Sequence, residues 1–72
     1  MFIQLTEDNN SIIYLNVLQI NKIISKDTGS IIFTALGTIT VKEHPDTILQ
    51  QIEYLIKNTV TNILIDWRQI NG

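Results

Sequence analysis

The chain has no cysteine, one histidine, one proline and three glycines in 72 residues. Without cysteine it can form neither a disulfide nor a thiolate metal site. The single histidine, His44, cannot build a zinc site without carboxylate help. Positive charge is scarce: Lys22, Lys26, Lys42, Lys57 and Arg68 face seven acidic residues, for a net charge of −2. Phosphate contacts supply most nucleic-acid affinity, so these scattered cations make a poor nucleic-acid footprint. No apolar run approaches the roughly 20 residues of a membrane span. The first residues, MFIQLTEDNN, lack the basic start and apolar middle of a signal peptide. The expectation is a cytoplasmic protein with no metal, no cofactor and no membrane segment.

What the chain does have is isoleucine, its commonest residue. Branching at Cβ stiffens χ1 and suits a pleated surface, so the composition favours strand. A chain of this length makes one domain. It buries only about 60% of its unfolded surface and is marginal alone. Association with another chain is the expected supplement.

Read in order, Phe2 to Thr6 is a first strand and Ile12 to Leu15 a second, joined by the polar loop EDNNS, where Asn9 and Asn10 suit positive φ. Asn16 to Gln19 is a break, in which Asn16 can bond its own backbone. Ile20 to Ser25 is a third strand, with Ile20, Lys22 and Ile24 on one face and Asn21, Ile23 and Ser25 on the other. Lys26 to Ser30 is a turn, Ile31 to Ala35 a fourth strand, and Leu36-Gly37 a tight turn with Gly37 at positive φ. Thr38 to Lys42 is a fifth strand, Ile39 and Val41 pointing inward. The pattern is an antiparallel meander, five-stranded with a possible sixth strand to come.

The stretch GTITVKEHPDTILQQIEYLI carries the switch from strand to helix. Ile48, Leu49, Ile52, Leu55 and Ile56 share one helical stripe, read as core. Pro45 suits the first helical turn, Asp46 complements the helix dipole, and Thr47 with Gln50 offers a capping box. Glu53 and Lys57 have the favourable order for an ion pair. A helix is expected over 45–58. For 59–72 the sequence points two ways. Val60, Ile63, Trp67 and Ile70 keep helical spacing, whereas Thr59-Val60-Thr61-Asn62 is poor helix material and Ile63-Leu64-Ile65 suits a strand. The propensities favour a strand or irregular arm over 60–65 and a turn near Asp66-Trp67-Arg68. The fold class expected is α+β, with residues 1–58 as meander plus helix and 59–72 as a tail.

No catalytic constellation stands out. His44 has only Glu43 and Asp46 nearby and no nucleophile at a recognisable spacing. Glu7-Asp8 lie in a polar loop, and Gly29, Gly37 and Gly72 stand apart rather than in a phosphate loop. The reading is that the chain is not an enzyme. Trp67 and Arg68 are adjacent and of types enriched at interface hot spots. With Ile70 they are the candidate partner-binding residues, the competing role for Trp67 being to fold back and complete the core. Tyr54 reads as a boundary residue beside the helix stripe.

The order Tyr14-Leu15-Asn16, Ile20, Ile23-Ile24, Asp27-Thr28, Gly37, Val41-Lys42-Glu43 and a helix resembles the small flagellar and swarming-motility family called FlbD-like, over about residues 1–57. The resemblance implies a non-catalytic bacterial protein tied to motility. The chain differs by the added Gly29-Ser30, by no glycine in its first turn, and by its tail. The start Met1-Phe2-Ile3, five strands and a terminal helix are also similar to the carbon-storage regulator family, which implies a strand-swapped homodimer binding messenger RNA. Gln4 and Thr6 stand where that family has basic residues, so no RNA contacts carry over. The function expected is a protein-binding module acting by surface occlusion or regulation. It would be a phage or mobile-element inhibitor of a host machine, of the anti-CRISPR kind, or a motility-type regulator. The alternative is a homodimeric RNA-binding regulator.

Overall fold

The computed structural model describes the backbone of residues 1–71 and the side chains of residues 1–58. Its elements are β1 (Phe2–Thr6), β2 (Ile12–Asn16), a 3-10 turn (Val17–Gln19), β3 (Ile20–Lys26), β4 (Gly29–Thr34), β5 (Gly37–Val41) and α1 (Pro45–Asn71). The class is α+β. All strand pairs are antiparallel.

The strands form two sheets, β1-β2 and β3-β4-β5, rather than one continuous meander. The division comes from the turn after β2. The Asn16 side chain accepts from the Leu18 N–H at 3.1 Å, and the Val17 N–H goes to the Met1 carbonyl at 2.8 Å. The chain is thereby turned away from a β2–β3 ladder. The sheets meet instead where β1 passes β5: Glu7 bridges Val41, and the Lys42 N–H donates to the Thr6 carbonyl at 2.8 Å. Asn10 holds φ at 69° in the first loop, and its side chain accepts a hydrogen bond from Lys42 Nζ.

Alternation sets the core. Ile3 and Leu5 of β1, Ile32 of β4, Val41 of β5 and Ile48 of α1 are buried; Ile13, Leu15, Ile20, Ile23, Ile39, Ile52 and Leu55 pack against them. The inward pointing of Ile39 and Val41 is as the alternation requires. The faces of β3 are not. A β-bulge between Ile20 and Lys22 resets the register, so Ile20 and Ile23 both pack on the core. Lys22 instead lies over the Phe33 ring, 4.7 Å from its centroid.

The link from β5 to α1 is held by its neighbours. The Thr6 N–H donates to Glu43 Oε1 at 2.8 Å, and the buried Ser30 hydroxyl donates to the Glu43 carbonyl at 2.7 Å. Gly29, at φ 149°, runs beside Val41 and Lys42, where a Cβ would stand 2.9 Å from Lys42 Cα. Gly29 and Ser30 therefore anchor the approach to the helix.

In α1, Pro45 is the first residue, Asp46 lies in the first turn, and the Ile48 N–H bonds the His44 carbonyl at 3.2 Å. Thr47 is the third helical residue, so His44 and not Thr47 holds the cap position and the expected capping box does not form. The Glu53–Lys57 pair is present at 3.0 Å. Two further expectations are corrected. The helix continues to Asn71, so neither a strand or arm over 60–65 nor a turn at Asp66-Trp67-Arg68 forms. A continuing helix satisfies its backbone groups within itself despite the poor propensity of the Thr59–Asn62 stretch, whereas an extended arm over 60–65 would need a partner strand for its own. The stripe expected to be core is also only half covered, since Leu49 is 53% and Ile56 47% exposed. The two small sheets are too narrow to cover both shoulders of the helix.

Candidate functional site

The outer face of the β1-β2 hairpin follows from its parity. Ile3 and Leu5 point inward, so Phe2, Gln4 and Thr6 point outward; across the ladder Tyr14 pairs with Gln4, and Asn16 with Phe2. Phe2 and Tyr14 are thus diagonal neighbours on one face, 62% and 67% exposed. Tyr54 of α1, also 67% exposed, flanks β1 across a groove of about 340 Å³. Phe2, Ile3, Gln4, Gln51, Tyr54 and Leu55 line it with Thr47 and Gln50, and none carries charge. Within the groove, Gln51 Nε2 donates to the Gln4 carbonyl at 3.3 Å. The amide thereby occupies the backbone edge of β1 as a neighbouring strand would.

A second groove, about 410 Å³, lies on the opposite shoulder of α1, between the helix and β3. Val17, Ile20, Ile23, Leu49 and Ile52 form its apolar lining, with Pro45 at its end.

The sequence-derived partner residues Trp67, Arg68 and Ile70 belong to the helical backbone of α1, and their side chains lie outside the described residues. His44 is exposed ahead of the helix. Its neighbour Glu43 is committed elsewhere, to the Thr6 N–H. Burial raises the Glu43 pKa, but the hydrogen bonds from the Thr6 and Glu43 N–H groups and the Thr6 hydroxyl, with the Lys42 charge, outweigh it and hold the carboxyl below the usual glutamate range. Among the described residues no group of three or more His, Cys, Asp or Glu side chains is placed to hold a metal. No described helix is long and apolar enough to cross a membrane.

Phe2, Tyr14 and Tyr54 were not singled out as partner residues from the sequence. The signal was present in the parity: bulky aromatics occupy the strand positions opposite to the Ile3/Leu5 and Ile13/Leu15 core set. Comparison with protein-family models, curated proteins and solved structures returned no match.

Proposed function

We propose that the chain is a non-catalytic protein-binding module that works by occupying a surface of its partner. The observation that carries this reading is the uncharged β1–α1 groove lined by the exposed Phe2 and Tyr54, with Tyr14 exposed beside Phe2 on the outer face of the hairpin. Aromatic side chains bring large contact area at low entropic cost and dominate interface energetics. The occupant that fits is an extended, uncharged segment of another protein. The Gln51 amide already imitates a strand at the β1 edge, and a peptide displacing it would add main-chain hydrogen bonds beside the aromatic anchors. Two roles fit such occupation: a motility-type regulator, as the FlbD-like resemblance implies, and an anti-CRISPR-like inhibitor of a host machine.

Selection from a displayed library of random peptides tests the reading. The expected result is enrichment of peptides with an apolar, uncharged centre. Their binding should fall at least about tenfold for Phe2→Ala and Tyr54→Ala, the loss of an interface hot spot. The melting temperature should hold, because both side chains are exposed. No enrichment, or binding indifferent to both substitutions, would sink the proposal.

A further inference from the structure

Among the described residues β3 is an edge strand, with β4 on one side and no strand on the other. The two-residue turn at Asp27-Thr28 makes Lys26 and Gly29 the closing hydrogen-bonded pair, so Ile24 and Lys22 also spend their backbone groups on β4. Ile23 and Ser25, in between, direct their N–H and C=O groups to the open edge. The bulge that turns Ile20 inward leaves Lys22, Ile24 and Lys26 together on the outer face of the sheet. Two of the cations that lie scattered in the sequence thus flank one apolar side chain, about 13 Å apart along the strand. Among the described residues the one ion pair joins Glu53 to Lys57, so neither lysine has a carboxylate partner, Asp27 in the next turn included. Lys22 holds only the Phe33 ring. Beneath the same edge runs the β3–α1 groove of about 410 Å³, with Val17, Ile20, Ile23, Leu49 and Ile52 as its apolar lining.

We propose that the β3 edge takes an extended, acidic segment of another protein as an added strand. Each feature selects one property of the occupant. The open backbone groups of Ile23 and Ser25 select a strand, because an extended backbone presents donors and acceptors at the matching spacing. A strand laid there alternates its side chains, one set beside Lys22, Ile24 and Lys26 and the other into the groove over Ile23 and Leu49. The lysines select carboxylates for the outer set, at the two positions that flank the one opposite Ile24. The groove selects an apolar side chain opposite Ile23, which would cover the half-exposed Leu49. The occupant therefore carries carboxylates at the spacing of Lys22 and Lys26, with an apolar residue between them. A second copy of the chain does not fit, since pairing β3 with β3 brings Lys22 and Lys26 of both copies to one seam. A nucleic-acid strand would meet the lysines but leave the edge backbone groups and the apolar groove unused. The edge lies across α1 from the Phe2–Tyr54 groove, so it is independent of the uncharged segment proposed there.

Fluorescence anisotropy of end-blocked peptides of about ten residues, titrated with the full chain, decides the matter. A peptide alternating valine and glutamate should bind, and one alternating valine and lysine should not. Binding should weaken at least about tenfold for Lys22→Glu and for Lys26→Glu. The double reversal should take the valine–lysine peptide in place of the valine–glutamate one. Methylation of the peptide nitrogens that face β3 should abolish binding, which a contact made by charge alone would survive. Lys57→Glu, which changes the net charge equally, and Phe2→Ala, in the other groove, should bind as the wild type does. The proposal fails if the valine–glutamate peptide does not bind at about 1 mM, if both lysine reversals leave binding unchanged, or if the methylated peptide binds equally well. An oligouridylate that binds where the peptide does not would give the face to single-stranded nucleic acid. A wild type that dimerises and excludes the peptide would give the edge to a second copy. Either result overturns the proposal. Should Lys22→Glu disturb the fold by releasing the Phe33 ring, Lys26→Glu and the methylated peptide still decide.

Discussion

Gly29 and Gly37 both hold positive φ, at 149° and 135°, yet they differ in surroundings. At Gly37 nothing lies within 4 Å of a Cβ, so alanine there meets only backbone strain. At Gly29 a Cβ would press on the Val41 carbonyl and on Lys42, both backbone and unable to swing aside. Gly37→Ala is therefore expected to cost about 1 kcal/mol, and Gly29→Ala about 3 kcal/mol or more, because a steric clash adds to the strain. Urea unfolding of the two variants measures the difference. Equal midpoints would mean that β4 moves aside from β5 freely, and that the close approach of Gly29 to the β5–α1 link has no energetic weight.

At the scale of the element, the first four turns of α1 contain two kinds of apolar side chain. Ile48 is fully buried among Ile3, Leu5, Ile32 and Val41, whereas Leu49 and Ile56 are half exposed. Ile48→Ala should cost about 3 kcal/mol from lost burial and a residual cavity. Ile56→Ala should cost under about 1 kcal/mol when the monomer is unfolded in dilute solution. Thermal or urea denaturation at nanomolar concentration reads both, and a large loss for Ile56→Ala would place that shoulder inside the monomer's core. The same helix marks what the sequence makes legible. The start at Pro45 was readable because proline and the hydrophobic period coincide there. The strands were readable to within two residues at each end because Ile3/Leu5, Ile13/Leu15 and Ile39/Val41 alternate. The bulge in β3 was not, since an extra residue leaves no mark in a stretch with apolar residues on both faces. The turn at Asn16 is legible, but the break into two sheets is not, because the Val17 N–H bond to the Met1 carbonyl, like the loss of β2–β3 pairing, appears only in the fold. Past Asn58 the sequence leaves helix and strand both open, because local propensity opposes the longer period. The Phe2–Tyr54 groove needed the fold, which alone brings residues from opposite ends of the described chain side by side.

For the whole molecule, the junction of β1, β5 and α1 is where two sheets and a helix become one body. Lys42 bonds Thr6, Thr6 bonds the Glu43 carboxylate, and Ser30 bonds the Glu43 carbonyl. Glu43 is thus tied to β1 by charge and to β4 by its backbone. Its pKa is depressed in the fold, so its contribution to stability is present above the unfolded glutamate value and is lost as pH falls through the folded one. Glu43→Gln keeps an acceptor for Thr6 but removes the charge. It should lower stability by on the order of 1 kcal/mol at neutral pH, the difference between a charged and a neutral hydrogen bond. Urea midpoints of wild type and variant should then converge as the carboxylate protonates, that is, as pH falls from the unfolded glutamate value through the lower folded one. A gap that persists unchanged in acid would assign the loss to shape rather than charge. Amide exchange at Thr6 separates two routes to that loss. If the Thr6 N–H exchanges faster in acid than base catalysis predicts while the β4 amides stay protected, the two sheets part at this junction before either one unfolds. If the protection of Thr6 and β4 falls together, the carboxylate holds the fold as a single cooperative unit.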